Sequence, residues 1–418
     1  MTYYALRITF YVSTESQILK ILFLGLRFPY PPHRGDKIRS YNFIKHLAAK
    51  HSLIAVFFSE SDGEIDVVKH IKPYCELVKL VPFHKNIARL NSMLHLFSQK
   101  PLQIWYWYSH QMQRTIDELV DKYDFDIIHV QFFRMARYVT KFTQYHKVLD
   151  LGDAMSLNLH RRATLEKSMA WPMVKLEELR VRRYETEILK DFDMGTMVSA
   201  FDRDYLLSLD DSLNLEVVPM GVDLEYFQPS DVQYRPQLLF TGTMNYFPNY
   251  DAVWYFYHKI FPYIKQARPD VTFYVVGNDP LPKLKRLESN RDIVVTGHVP
   301  EIRPYFAQSV VFVSPLRGGS GIQVKNLEAM AMGVPVVTTS VGAAGIEATI
   351  GHDLIVADEP KEFAAKVIQL LDDPNLRQQI GQNGRRLVEE KYNWPDVVSR
   401  LDRIYEQIGC VKSEYEFS

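Results

Sequence analysis

The chain has 418 residues, 47% apolar and 24% charged, with a formal net charge of −1. That length suggests two domains of roughly 200 residues each, because single cores stop growing at about 250–300. The apolar fraction excludes a disordered chain, and the near-zero net charge argues against a dedicated nucleic-acid binder.

The charge is unevenly spread. Residues 1–198 hold 28 Lys+Arg against 21 Asp+Glu, whereas the remaining residues hold 21 against 29. A basic half joined to an acidic half fits a first domain that meets an anionic surface, such as a phospholipid headgroup or a lipid phosphate. It fits equally well two domains docked with complementary fields. Two cysteines, Cys75 and Cys410, are too few for a disulfide framework or a zinc site, in keeping with a reducing cytoplasm. No window approaches the roughly 18 apolar residues that a membrane span needs. Met1–Lys20 has no basic start followed by an apolar run and a cleavage site, so no signal peptide is expected.

In chain order, short apolar runs alternate with helical stretches, the pattern of doubly wound parallel sheets. The first half predicts strands at Ile21–Gly25, Leu53–Phe58, Leu77–Pro82, Ile127–Val130, Lys147–Asp150, Gly195–Ser199 and Val217–Pro219. The second half predicts them at Leu238–Gly242, Val271–Gly277, Ile293–Gly297, Val310–Pro315, Val334–Thr339 and Leu354–Ala357. Several end in Gly, Ser or Pro, at the carboxyl edge where open α/β sheets bind ligands. Pro219–Pro236 reads as a linker, and Leu157–Lys190 as a long charged helical stretch broken at Pro172.

One segment departs from the alternation. Ile87, Leu90, Met93/Leu94 and Phe97 are spaced as one face of a helix, with Lys85, Arg89 and Lys100 around them and Trp105–Tyr108 close behind. Such a helix suits a membrane interface. The reading we favour is a helix packed on its domain beside a buried aromatic strand.

The densest chemical signal is SPLRGGSGIQVKNLEAMAMGVPVV, residues 314–337. A strand ends at Pro315, the glycines Gly318, Gly319 and Gly321 follow, and a helix is expected from about Ile322 to Gly333. Glycines let backbone amides approach an anion, and a helix N-terminus adds positive potential. Lys325 and Glu328 lie three apart and share a face. The cation suits a diphosphate and the carboxylate suits paired ribose hydroxyls.

These residues, with VVPMGVDLEYFQP, LLFTGTMNYFPNYDAVWYF and EEKYNWPDVV, resemble glycosyltransferase family 4. That family comprises retaining enzymes of the GT-B fold with nucleotide-sugar donors. SGIQVKNLEAM and PYPPHRGDKIRSYNF are most similar to sugar transferases of bacterial exopolysaccharide clusters. The resemblance covers roughly residues 20–405. It implies an α/β architecture of two Rossmann-like domains facing a central cleft: 1–222 on the acceptor side, 223–393 on the donor side, and a helix at about 394–418 packed back on the first.

By the same resemblance, Glu328 matches the second Glu of the Glu-x7-Glu motif, which holds the donor's ribose. The first Glu, a sugar contact, falls at Ser320; Gly321, Ile322 and Gln323 are expected to substitute through loop amides. The Arg and Lys that many members carry after the first strand of the second domain are absent from the stretch that starts at Gly242. Lys325, and with it Arg317, would then meet the leaving diphosphate beside Gly319. Gly35, in the loop before Arg39, would approach from the first domain. Asp153, with Asp150 near it, is the candidate where relatives place a sugar-contacting His. His129 and Gln131 are weaker candidates for the acceptor side. The Asp pairs 124/126, 191/193 and 202/204 read as structural, and no metal is expected.

The implied activity is metal-independent hexosyl transfer from a nucleotide-diphosphate sugar to a glycan or polyprenyl-lipid-linked acceptor, in exopolysaccharide or cell-surface polysaccharide synthesis. The implied place is the cytoplasm, at the inner face of the plasma membrane, with peripheral contact through the first domain and no nucleic acid. A nucleotide-sugar epimerase and a catalytically silent GT-B subunit are the alternatives.

Overall fold

Apolar β-branched runs buried on both faces need helices on both sides, which is what a parallel sheet provides. The computed structural model describes residues 18–60, 64–165, 171–230 and 235–415. Residues 1–17, the start of the stretch before the first strand, lie outside it, as does the side chain of Cys410.

All the expected strands are present, shifted by at most three residues at their ends. The first sheet holds β1 (Lys20–Gly25), β2 (Ser52–Ser59), β3 (Leu77–Pro82), β4 (Ile127–Gln131), β5 (His146–Gly152), β6 (Met194–Met197) and β7 (Leu215–Val217), in the order β3-β2-β1-β4-β5-β6-β7. The second holds β8 (Arg235–Thr241), β9 (Thr272–Val276), β10 (Ile293–Gly297), β11 (Ser309–Ser314), β12 (Val336–Thr338) and β13 (Ile355–Val356), in the order β10-β9-β8-β11-β12-β13. Every pairing within the sheets is parallel. Strand order reverses between β1 and β4, and again between β8 and β11. Each reversal opens a crevice at the carboxyl edge.

Alternation along β1 feeds two cores: Ile21 and Phe23 enter one apolar cluster, Leu22 and Leu24 the other. Helix Trp394–Tyr415 lies against helix Gly35–Leu47, where Trp394 meets Phe43 edge-on at 6.2 Å. Within the expected stretch Leu157–Lys190 the described residues form helices Met155–Leu165 and Trp171–Leu189, and the residues just before Pro172, 166–170, lie outside the described residues.

Three expectations are corrected. Arg39 is buried and gives two hydrogen bonds to Asp150, at 2.7 and 2.8 Å, and one each to the carbonyls of Val218 and Pro219, both at 2.8 Å. Burial raises the Asp150 carboxyl, but Arg39 outweighs it and holds the group below its ordinary value. The pair fastens the chain leaving β7 to the first domain and offers nothing to a phosphate. His129 is fully buried, meets the Tyr405 hydroxyl at 2.8 Å, and is pushed down to about 4 by burial. Gln131 is buried against Ser40 and the Asp36 carbonyl, so neither residue lines a cleft. Trp105–Tyr108 is not a strand: helix Leu102–Tyr106 carries its first half.

Candidate active site

The second crevice is built by the chain leaving β8 and β11. Gly277, after β9, supports it by close approach: a Cβ there would lie 1.8 Å from the Gly242 carbonyl oxygen. The two chains can touch only because no side chain separates them. After β11 the loop runs through Arg317–Gln323 into helix Val324–Ala331, which Gly333 ends in the left-handed region.

Lys325 and Glu328 sit half-buried on this helix. The Lys325 ammonium donates to Asn249 Oδ1 and lies 4.8 Å over the Phe240 ring. Asn249 in turn donates to the Thr243 carbonyl at 3.0 Å. Lys325 thus completes the Gly242–Asn249 stretch that has no cation of its own. Burial pulls Lys325 down to about 7 and pushes Glu328 up to about 7, while each charge favours the other. Arg317 is committed elsewhere, paired with both oxygens of Asp251 and stacked 4.4 Å over Tyr255.

The first domain closes on the glycine loop. Ser320 Oγ donates to Asp153 Oδ2, and Arg161 donates to the Gly319 carbonyl. Asp202 accepts the Gly321 amide at 3.1 Å and the Ala154 amide at 3.1 Å. Gly321 adopts φ +67, and a Cβ there would come within 2.9 Å of Asp153 Cβ. Any side chain at 321 would push the domains apart. Asn158 reaches the Tyr246 hydroxyl at 3.1 Å, and the Arg162 guanidinium lies 5.7 Å over Phe247.

Two readings change here. Asp202, one of the aspartates read as structural, joins the two domains; burial and the nearby Asp153 raise its pKa. The Gly321 amide, expected to meet the donor, is already accepted by Asp202. Ile322 is buried, and Gln323, the residue before the helix, turns its side-chain amide back to within 3.4 Å of the Ser320 carbonyl. Gly35 opens helix Gly35–Leu47 onto free space, with nothing within 4 Å of where its Cβ would stand.

Sequence reasoning missed Arg161, Asp202, Asn249 and Arg134. The first had a visible signal: Asn158 and Arg161 share a helical face behind the strand that delivers Asp153. Arg134 follows β4 at the first sheet's own crevice and makes no ion pair among the described residues. It donates to Gln103 at 2.7 Å, and burial, aided by Arg27, lowers it to about 10. Among the described residues, no group of three or more His, Cys, Asp or Glu is arranged to hold a metal ion, and no helix is long and apolar enough to cross a membrane.

Two crevices facing each other across a pair of Rossmann-like sheets define the GT-B class. Residues 235–373 match the family model of glycosyl transferases group 1. Among curated proteins, the chain is 26% identical over 174 residues to a 44.6 kDa protein in the cps region of Klebsiella pneumoniae, covering 39% of this chain and 44% of that one. It is 27% identical over 262 residues to the GDP-mannose-dependent monoacylated alpha-(1-6)-phosphatidylinositol monomannoside mannosyltransferase of Corynebacterium glutamicum, covering 56% and 67%. The match thus spans less than half the length of the first of these relatives.

Among solved structures, the sucrose-phosphate synthase of Thermosynechococcus elongatus superposes with a TM-score of 0.72 at 16% identity, covering 94% of this chain and 100% of that one. Anabaena HepE in complex with UDP does so with 0.67 at 14%, covering 93% and 100%. The chain therefore has the GT-B fold that its resemblance implied, and residues 235–373 match the group 1 glycosyl transferase model.

Proposed function

We propose that the chain is a retaining hexosyltransferase that moves a sugar from a nucleotide-diphosphate donor to a glycan or lipid-linked acceptor in cell-surface polysaccharide assembly. The observation that carries this reading is the half-buried Lys325–Glu328 pair, one helical turn apart beneath a glycine loop at the carboxyl edge of the second sheet. Cleaving a sugar–phosphate bond builds negative charge on the leaving diphosphate, and a preorganised cation in a water-poor site stabilises it. Lys325 supplies that charge, the helix N-terminus adds to it, and Arg134 offers a first-domain cation to the same cleft. Glu328 accepts the ribose hydroxyls. Asp153 and Ser320 stand where the transferred sugar lies. In this reading no metal is required, because side-chain cations and the helix N-terminus meet the diphosphate charge.

The relatives support the donor class: one is named a GDP-mannose-dependent mannosyltransferase, another a capsular polysaccharide biosynthesis glycosyltransferase of Staphylococcus aureus, and HepE was solved with UDP. A thermal-shift series with UDP, GDP, ADP, CMP and their sugar conjugates, with and without EDTA, tests it. A ligand that binds only the folded chain raises its melting temperature by mass action. Stabilisation by one nucleoside diphosphate in EDTA is expected; no shift with any of them overturns the reading.

The occupied Gly321 amide, and Ser320 in place of a carboxylate, favour one second reading: a GT-B subunit that binds nucleotide without turnover. A nucleotide shift with neither transfer nor donor hydrolysis would select it.

A further inference from the structure

Helix Lys85–Leu94 is mounted inside out. Ala88 is its buried residue, and the polar Asn91, Ser92 and His95 share that inward face. Asn91 donates to the Tyr108 carbonyl at 3.4 Å, Ser92 to the Leu102 carbonyl at 3.4 Å, and His95 stacks on Trp105 with centroids 3.6 Å apart. The apolar stripe points outward: Ile87, Leu90, Met93 and Leu94 are 55–71% exposed, and Phe97 just beyond them is 95% exposed. A surface helix of a globular domain ordinarily has the opposite orientation. The helix expected here is thus packed on its domain by its polar face, with the apolar stripe left outside.

The exposed apolar surface continues onto a second helix. Met173, Leu176 and Leu179, three apart on Trp171–Leu189, are exposed as well. That helix is tied to the first through Arg180, which donates to the Leu96 carbonyl at 2.7 Å, and through Glu177, which accepts the Leu102 amide at 3.2 Å. Beside the stripe lies a cavity of about 480 Å³ lined by Phe83, Ile87, Tyr106 and Tyr108 among others.

Between Leu77 and Ile116 the charge has one sign: the chain carries Lys79, Lys85, Arg89, Lys100 and Arg114 and no Asp or Glu. On helix Trp171–Leu189, Glu177, Glu178 and Glu187 are paired with Arg180, Lys175 and Arg183. Lys79, Lys85, Arg89 and Lys100 are exposed. An apolar face ringed by cations, with Trp and Tyr at its base, matches the headgroup region of an anionic bilayer. It does not match a second copy of itself, since a two-fold pairing would set cations against cations.

We propose that the surface formed by residues 85–108, continued by the exposed face of Trp171–Leu189, docks the chain onto an anionic lipid bilayer. The site lies beside the cleft: the helix starts three residues after β3 ends, on the carboxyl edge, and Gln103 bonds the Arg134 of the first crevice at 2.7 Å. This deepens the proposed function, on which it rests only in saying that a lipid-linked acceptor would be presented there. Docking itself is independent of catalysis.

The test is sedimentation of the full chain with vesicles of phosphatidylcholine alone and of phosphatidylcholine mixed with phosphatidylglycerol, at low and high salt. Binding to the anionic vesicles, weakened by salt, is expected. Leu90→Ser with Phe97→Ser should weaken it by about tenfold or more, since each exposed apolar group adds to insertion. Lys85→Glu with Arg89→Glu should remove the preference for anionic lipid. Both sets of residues are exposed, so both variants should melt as the parent does and keep any nucleotide-induced shift, which separates a failure of docking from a failure of the donor reading. Absence of binding, equal binding to neutral vesicles, or binding indifferent to these substitutions overturns the proposal. So does a dimer that dissociates in the Leu90/Phe97 variant.

Discussion

The Asp153 carboxylate accepts a hydrogen bond from the Ser320 hydroxyl, and the two residues come from opposite sheets. Asp153 follows β5 and Ser320 follows β11, so the bond exists only while the cleft is closed. One residue on, Asp202 takes the Gly321 amide from the same side. The glycine loop is thus held by carboxylates of the first domain.

Replacing Ser320 with Glu should set two carboxylates against each other. One of them would then hold a proton to higher pH in the folded chain than in the unfolded one. Stability would be intact at acid pH and would fall as pH rises through that raised value. Ser320→Glu should melt lower than the parent at pH 8 but not at pH 4, and Asp153→Asn should rescue it, with a coupling of roughly 0.5–3 kcal/mol. Melting curves of the four-member cycle measure this.

Glu328→Ala should weaken nucleotide binding by about 10–100-fold, the loss of hydrogen bonds to a charged acceptor. Lys325→Met should mainly slow transfer, by about 10²–10³, the cost of losing one preorganised group facing the leaving charge. Calorimetric titration and initial rates separate the two. Parent-like behaviour in both variants would move the site elsewhere.

The pH dependence of transfer follows from burial of the same pair. Both groups sit near 7 in the free chain. Below that value Glu328 must lose a proton to accept the ribose, so donor affinity rises with pH. Above it Lys325 loses the proton with which it meets the leaving diphosphate, so the transfer step slows, by about tenfold per unit. The profile of kcat/KM should be a bell centred near neutrality. Glu328→Gln should remove the acid limb and Lys325→Met the alkaline one.

Breaking the buried Arg39–Asp150 pair should act on stability. Asp150→Asn leaves a guanidinium without its counter-charge and should cost about 3–5 kcal/mol, read from the denaturant midpoint. If the midpoint does not move, the anchor described for the chain leaving β7 is wrong.

Much of the molecule was legible in the residue order. Apolar runs bounded by Gly, Ser and Pro located every strand, because a buried parallel strand needs a short run of large side chains on both faces. The loop from Arg317 to Gln323 and the Lys325–Glu328 pair were legible for the same reason: glycine spacing, helix start and a three-residue offset are all local.

Partners were not. Nothing local to Arg39 reveals that Asp150, 111 positions away, lies against it. Asp202 reads as one of several structural aspartates, and its bond to Gly321, 119 positions away, belongs to the fold alone. Periodicity marked an apolar stripe on residues 87–97 but could not say which side it faced. A stripe is a property of the helix alone, whereas exposure depends on which of its faces the rest of the chain covers. The sequence by itself determined the two sheets and the glycine loop that leads into helix Val324–Ala331. Only the tertiary structure decided which charges are neutralised, which amides are taken, and which greasy face is left open, since each depends on atoms brought together from distant parts of the chain.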